Sequence, residues 1–244
     1  MERVNVNMLM YNAWQAGILV PAFNVAYLPM LKTIVDTLKE ENTFGLVEVS
    51  RPDVDKFGAK SFKDVAENFY RYADQYYARL HLDHIPVIDE DGNLVDWERF
   101  IREGLEMGYQ SVMIDGSRLP LEDNISCTKK VIDMARPRSV PVEAELGAVF
   151  GHEKGPLPPY EELFNSKRGF TSVESAEVFV KETDVDWLSV AIGNIHGAIS
   201  GVAKDQKKIE ARLDIEHLKK INDVARRPLV LHGGSGIKIE YVRE

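Results

Sequence analysis

Asp83 and His84 stand side by side in the chain, Asp115 follows, then Glu143 and Glu145, then His196 and His232, each at or near the end of a short apolar run. Ionisable groups set beside an apolar core are costly unless paired. A bound cation removes that cost, and three imidazoles with an open fourth position make a catalytic zinc site. A carboxylate could replace one imidazole or hold the ion in an alternative position. The competing reading is structural, because a lone histidine at a strand end is ordinarily a satisfied core group. His81, His152 and His217 take that second reading. His81 alternates away from His84 with the two-residue period of a strand, and His217 lies beside Lys219 and Lys220 on what reads as a solvated helix face.

A second signal is the run Leu231-His232-Gly233-Gly234-Ser235-Gly236-Ile237. Glycines between a strand and a helix let backbone N–H groups approach an anion, and a helix N-terminus adds positive partial charge, so the run reads as a phosphate cradle. Gly193-Asn194-Ile195-His196-Gly197 repeats the pairing of histidine with glycine one strand earlier. Among the apolar runs there is no lysine to form a Schiff base, and the chain has neither a G-x-S-x-G elbow nor a cysteine placed as a nucleophile. The remaining chemistry is electrophilic: a metal polarises a carbonyl while a carboxylate moves the proton.

These groups need a scaffold that brings distant segments to one pole. Seven short runs read as buried strands: Ile18 to Val25, Phe44 to Ser50, Arg79 to His84, Ser111 to Ser117, Pro141 to Gly147, Trp187 to Gly193 and Pro228 to Gly233. Helix-length stretches with apolar residues three and four apart lie between them, as in Phe62, Val65, Phe69 and Ala73. Regular alternation of strand and helix, with strands apolar throughout, implies a parallel sheet covered on both faces. No G-x-G-x-x-G follows the first strand, which favours a (β/α)8 barrel over an open dinucleotide-binding sheet. In a barrel the functional groups collect at the carboxyl ends of the strands, where the residues above fall. The expectation is a single domain over residues 1–244, with the eighth β/α unit missing from the chain. The stretch from Val149 to Phe170 is longer than an ordinary connection and reads as a long loop, either a lid or a plain surface excursion.

Composition narrows the partners. The 244 residues carry 30 Lys and Arg against 39 Asp and Glu, a formal charge of −9, with no basic run. Such a surface is ill suited to nucleic acid or anionic lipid and fits small molecules or other protein chains. Cys127 is the single cysteine, so the chain forms no internal disulfide and any metal must use histidine and carboxylate. No apolar stretch is long enough to span a bilayer and no secretory signal opens the sequence, so a cytoplasmic setting is expected.

Taken together, the segments resemble the class II, metal-dependent ketose-bisphosphate aldolases. The likeness runs through Val20-Pro21-Ala22-Phe23-Asn24-Val25, Leu80-His81-Leu82-Asp83-His84, Ser111 to Ser117, Val142-Glu143-Ala144-Glu145-Leu146-Gly147, Thr183-Asp184-Val185-Asp186, Ala191-Ile192-Gly193 with His196-Gly197, and His232-Gly233-Gly234-Ser235-Gly236. The resemblance implies that His84, His196 and His232 hold a catalytic Zn2+ or another divalent ion, with Glu145 and Asp115 serving a second metal position or supporting the ligands. It assigns Asp83 to proton exchange with the hydroxyl that becomes the aldehyde, and Glu153 to acid/base work at the enediolate carbon. Gly197, Gly233 and Ser235 would bind the phosphate of dihydroxyacetone phosphate, helped by a monovalent cation (Na+ or K+), and Ser50 would reach the other phosphate. The implied reaction is reversible cleavage of a ketose bisphosphate such as fructose 1,6-bisphosphate, and the implied assembly a homodimer or homotetramer. The chain departs from the family pattern at Ala26-Tyr27-Leu28-Pro29, at Ile85 and the excursion from Pro86 to Gly92, and in the Pro-rich stretch after His152. Two other readings compete: a zinc hydrolase built on the same histidines, and a diverged barrel that binds a sugar phosphate or a protein without catalysis.

Overall fold

The computed structural model describes residues 4–149, 158–195, 211–234, 237 and 240. The described elements alternate in the expected way: α1 (Val6–Ala16), β1 (Ala22–Asn24), α2 (Met30–Glu40), β2 (Gly45–Ser50), α3 (Arg51–Asp55), α4 (Phe62–Tyr72), β3 (Ala78–Pro86), α5 (Trp97–Met107), β4 (Ser111–Asp115), α6 (Leu121–Ala135), β5 (Val142–Leu146), α7 (Tyr160–Ser166), α8 (Val173–Thr183), β6 (Trp187–Val190), α9 (Ile215–Ala225) and β7 (Leu229–Val230). The seven strands lie in one sheet in strict chain order from β1 to β7. The printed pairs are parallel. Sequential parallel order with a helical crossover between neighbours is the topology of a (β/α)8 barrel short of one unit. Among the described residues no helix is long and apolar enough to cross a membrane.

The chain divides into two compact units. The first comprises Met1–Pro86, Asp96–Asp115 and Cys127–Glu143. All six residues of β2 are buried, as are Leu80, Leu82, Val112, Met113 and Ile114 on β3 and β4. Each such aliphatic side chain contributes about 1.5–3 kcal/mol by leaving water. Helix α4 begins where the Ser61 hydroxyl accepts the Asp64 N–H at 3.0 Å, and Phe62, Val65, Ala66 and Phe69 form its buried stripe. Gly104 lets α5 lie directly on β3, since a Cβ there would meet Leu82 Cδ2 at 2.6 Å.

The second unit comprises Val87–Val95, Gly116–Ser126 and Ala144–Glu244. Trp187, Leu188, Val190, Phe179 and Ile221 form its buried interior. Its first piece is a short excursion closed by an antiparallel bridge between Ile88 and Leu94.

Three sequence expectations need correction. The first strand covers only Ala22–Asn24 instead of Ile18 to Val25. Gly17 ends α1 in the left-handed conformation and the Ile18 N–H bonds back to the Ala13 carbonyl, while Pro21 has no N–H to give a ladder. The stretch after Val149 is not all loop, because Tyr160–Ser166 is helical. His217 is not solvated: its Nε2 sits 2.7 Å from the Thr171 carbonyl and its ring lies 5.8 Å from that of Phe170.

Candidate active site

The first unit gathers its polar side chains on one face of two neighbouring strands. In the parallel register Glu48 lies beside His81 and Ser50 beside Asp83. A period of two puts Glu48 and Ser50 on the same side of β2, and His81 and Asp83 on the same side of β3. All four are buried. Glu48, His81 and Asp83 each offer a ligand-type atom, and these atoms lie within 4.8 Å of one another.

Hydrogen bonds fix the far end of this row. Asn24 Nδ2 donates to Asp83 Oδ2 at 2.8 Å and reaches Asp53 Oδ2 at 3.2 Å. The same Asp53 oxygen accepts from the Ser50 backbone N–H at 2.9 Å and from the Ser50 hydroxyl at 2.7 Å. Ser50 and Asp53 form the capping box that starts α3, so one local motif anchors Asn24 and through it the Asp83 carboxylate. On the other flank, His81 Nδ1 lies 2.8 Å from Ser111 Oγ and its Nε2 lies 3.6 Å from Glu143 Oε2. Burial pushes the Glu48 carboxyl well above the usual carboxylate range, and the charges of Asp83 and Glu143 add to the push, which His84 partly opposes.

His84 breaks the strand period. Its φ of 37° is left-handed, and the β3–β4 register shifts between Leu82 and Ile85. A non-glycine residue held there costs on the order of 1–3 kcal/mol, a strain typical of functional positions. The consequence is that His84 and Asp83, neighbours in the chain, hold ligand-type atoms within 4.8 Å of each other. His84 Nδ1 also stands 3.6 Å from Asp115 Oδ2. Two ligands of one tetrahedral zinc ion, each at 2.0–2.1 Å, sit about 3.3 Å apart, so this nitrogen and oxygen suit a shared divalent ion. Imidazole with carboxylate is also the donor chemistry such ions select.

The second unit positions the later members of the set. Glu145 is buried on β5 and its Oε2 accepts from Ser189 Oγ at 3.4 Å. His232 lies two residues beyond β7, with its backbone carbonyl accepting from Asn194 Nδ2 at 3.1 Å. Asn194 Oδ1 in turn accepts the Ile192 N–H at 2.9 Å, so one side chain ties the exit of β6 to the His232 backbone. Gly233 has a φ of 75°. Glu153, His196, Gly197 and Ser235 lie outside the described residues.

Several residues that organise the site were not singled out from sequence. Asn24 and Asp53 belong to contacts between separate elements, although the Ser50-Arg51-Pro52-Asp53 spacing is itself a cap signature. Glu48 and His81 carried a usable signal, since each is an ionisable residue in an otherwise apolar strand and lies two positions before a candidate site residue.

Comparison with known proteins accords with this arrangement. The family model described as "Fructose-bisphosphate aldolase class-II" matches residues 4–244. The chain is 37% identical over 165 residues to the 6-phospho-5-dehydro-2-deoxy-D-gluconate aldolase of Halalkalibacterium halodurans, a match covering 68% of this chain and 48% of that protein. The chain thus spans about half the length of that curated relative. Among solved structures, the YdjI aldolase of Escherichia coli K12 superposes with a TM-score of 0.74 at 26% identity, over 98% of this chain and 76% of that one. The fructose-bisphosphate aldolase of Campylobacter jejuni shares the fold, with a TM-score of 0.72 at 19% identity over 98% of this chain and 71% of that one.

Proposed function

Since this chain belongs to the class II fructose-bisphosphate aldolase family, we propose that it acts as a metal-dependent aldolase, cleaving a phosphorylated ketose to dihydroxyacetone phosphate and an aldehyde. The observation that carries this reading is the buried Asp83 carboxylate, held by Asn24 at 2.8 Å and directly followed by His84 beside Asp115. A carbon–carbon cleavage next to a ketone needs a base for the departing hydroxyl proton and a sink for the charge left on the ketone half.

In this reading His84, His196 and His232 hold a divalent ion, zinc in the first instance, with Glu145 and Asp115 supporting it. When bound there, the ion supplies Lewis-acid polarisation of the substrate carbonyl. Asp83 takes the proton from the hydroxyl that becomes the aldehyde. Its burial keeps bulk water from competing for that proton, and Asn24 fixes the direction of the carboxylate. Glu153 returns a proton to the carbon of the ketone half. Gly197, Gly233 and Ser235 receive the phosphate next to the ketone, with a monovalent cation assisting, and Ser50 faces the distal anionic group.

Fructose 1,6-bisphosphate is the first substrate to test. A second reading draws on the Halalkalibacterium halodurans relative, whose name specifies a phosphorylated keto acid. Cleavage beside the keto carbon of that compound would also release dihydroxyacetone phosphate, with an aldehyde acid in place of an aldehyde phosphate. The deciding experiment is a panel of phosphorylated ketoses and keto acids, scored for dihydroxyacetone phosphate release with zinc and with EDTA. Turnover of one member that requires zinc supports the proposal. Zinc-dependent hydrolysis without carbon–carbon cleavage would instead favour a hydrolase.

A further inference from the structure

A single hydroxyl in the second unit joins two points of backbone that lie far apart in the chain. Tyr160 Oη accepts the Arg212 N–H at 2.7 Å and donates to the Gly193 carbonyl at 2.9 Å, with the Arg212 carbonyl as its alternative acceptor at 3.1 Å. The knot is built tightly around this hydroxyl. Gly193 has a φ of 109°, and a Cβ on it would meet the Arg212 oxygen at 2.5 Å and Phe164 Cε2 at 2.7 Å. The Arg212 guanidinium stacks over Phe164 at 4.4 Å, and its Nη2 pairs with Glu161 Oε2 at 2.6 Å. Tyr160 and Phe164 are themselves in ring contact on α7, so one short helix presents the whole clamp.

The two backbone points have a functional meaning in the sequence. Gly193 precedes His196 and Gly197 by three and four residues, and Arg212 lies where the chain returns to α9. We infer that Tyr160 is a positioning residue for the metal and phosphate site, its hydroxyl fixing the backbone that leads into His196-Gly197. This inference rests on the aldolase reading, in which His196 is a metal ligand and Gly197 a phosphate donor. Partners that orient a metal ligand without touching the metal typically carry about a 10- to 100-fold share of the affinity. A hydroxyl that holds the backbone three residues ahead of the ligand belongs to that class.

The test compares the full-length chain with Tyr160→Phe, Gly193→Ala, Glu161→Gln and His196→Ala. Zinc affinity is measured by chelator competition, along with thermal melting of the metal-free proteins and kcat and KM for the cleaved ketose. Tyr160→Phe should bind zinc about tenfold more weakly, with KM raised more than kcat is lowered and a metal-free melting temperature close to the parent's. Gly193→Ala, which disturbs the same contact from the other side, should weaken zinc in the same direction. Glu161→Gln keeps both backbone hydrogen bonds and should keep the parental affinity. If His196→Ala loses zinc while Tyr160→Phe and Gly193→Ala bind it like the parent, the positioning role is wrong and the ligand assignment stands. If His196→Ala itself binds zinc like the parent, the ligand assignment is wrong and the positioning role falls with it.

Discussion

Asn24 and Asp83, separated by 59 positions in sequence, share a 2.8 Å hydrogen bond at the carboxyl ends of β1 and β3. The Asn24 amide is held in turn by Asp53, whose carboxylate is fixed by the Ser50 cap. The direction of the proposed base is therefore set by a chain of contacts running across three strands of the first unit.

Asp83→Ala should lower turnover of the cleaved ketose by about 10²–10⁴-fold, the usual share of a general base. Asn24→Ala leaves the base in place but frees its direction, and a misplacement of this kind costs up to about 10²-fold. Both proteins should retain the parental zinc content by elemental analysis. An Asn24→Ala enzyme with unchanged kcat would show that Asp83 needs no such support.

Glu48 gives a pH-dependent prediction. Its folded pKa is raised, so the stability linked to it is fully present below the unfolded carboxylate pKa and is lost as pH rises through the folded value. Glu48→Gln removes the ionising group while keeping the shape. The variant should melt above the parent at alkaline pH, with the gap closing as the pH falls towards the ordinary carboxylate range. Melting curves of the metal-free proteins from acid to alkaline pH check this, and a gap that widens towards acid would reverse the assigned sign.

His81 lies between Ser111 and Glu143, and both ionisable partners are almost wholly buried, at 1% and 3% exposure. Removing one member of such a pair leaves the other desolvated and alone, at a cost of about 3 kcal/mol. Urea unfolding of His81→Ala should show a loss of that order with the slope unchanged. A loss below about 0.5 kcal/mol, ordinary for a surface change, would mean that His81 carries no structural weight.

Cys127 is buried on α6, and burial pushes its thiol up to about 11. At pH 7.5 such a group is thiolate in roughly 1 molecule in 3000, so a thiol reagent has almost nothing to attack. The native protein should react negligibly over an hour, and the guanidinium-unfolded protein should release one equivalent, matching its single cysteine. Rapid labelling of the native chain would contradict the burial.

Much of this was legible in the residues themselves. The fully buried β2 and the apolar β3 and β4 announced a sheet covered on both sides, and Asp83, His84 and Asp115 were found by their places at strand ends. The geometry at His84 was not legible, because a left-handed residue inside a strand carries no composition signal and reverses the side that simple alternation assigns. The Asn24 contact to Asp83 was hidden for another reason: it joins strands that meet only through the sheet, and asparagine is common in turns. The short β1 could have been read from Gly17 and Pro21, whose capping and missing N–H outweigh the apolar run between them.

The central claim is that carbon–carbon cleavage here depends on a divalent ion held by His84 and its partners. It is tested most directly by following dihydroxyacetone phosphate release from the cleaved ketose by the parent and by His84→Ala, each stripped of metal and then titrated with zinc. The account predicts no release from the stripped parent, recovery that saturates near one zinc per chain, and no recovery for His84→Ala. Undiminished release by the metal-free parent, or a lysine adduct trapped by borohydride during turnover, would contradict it.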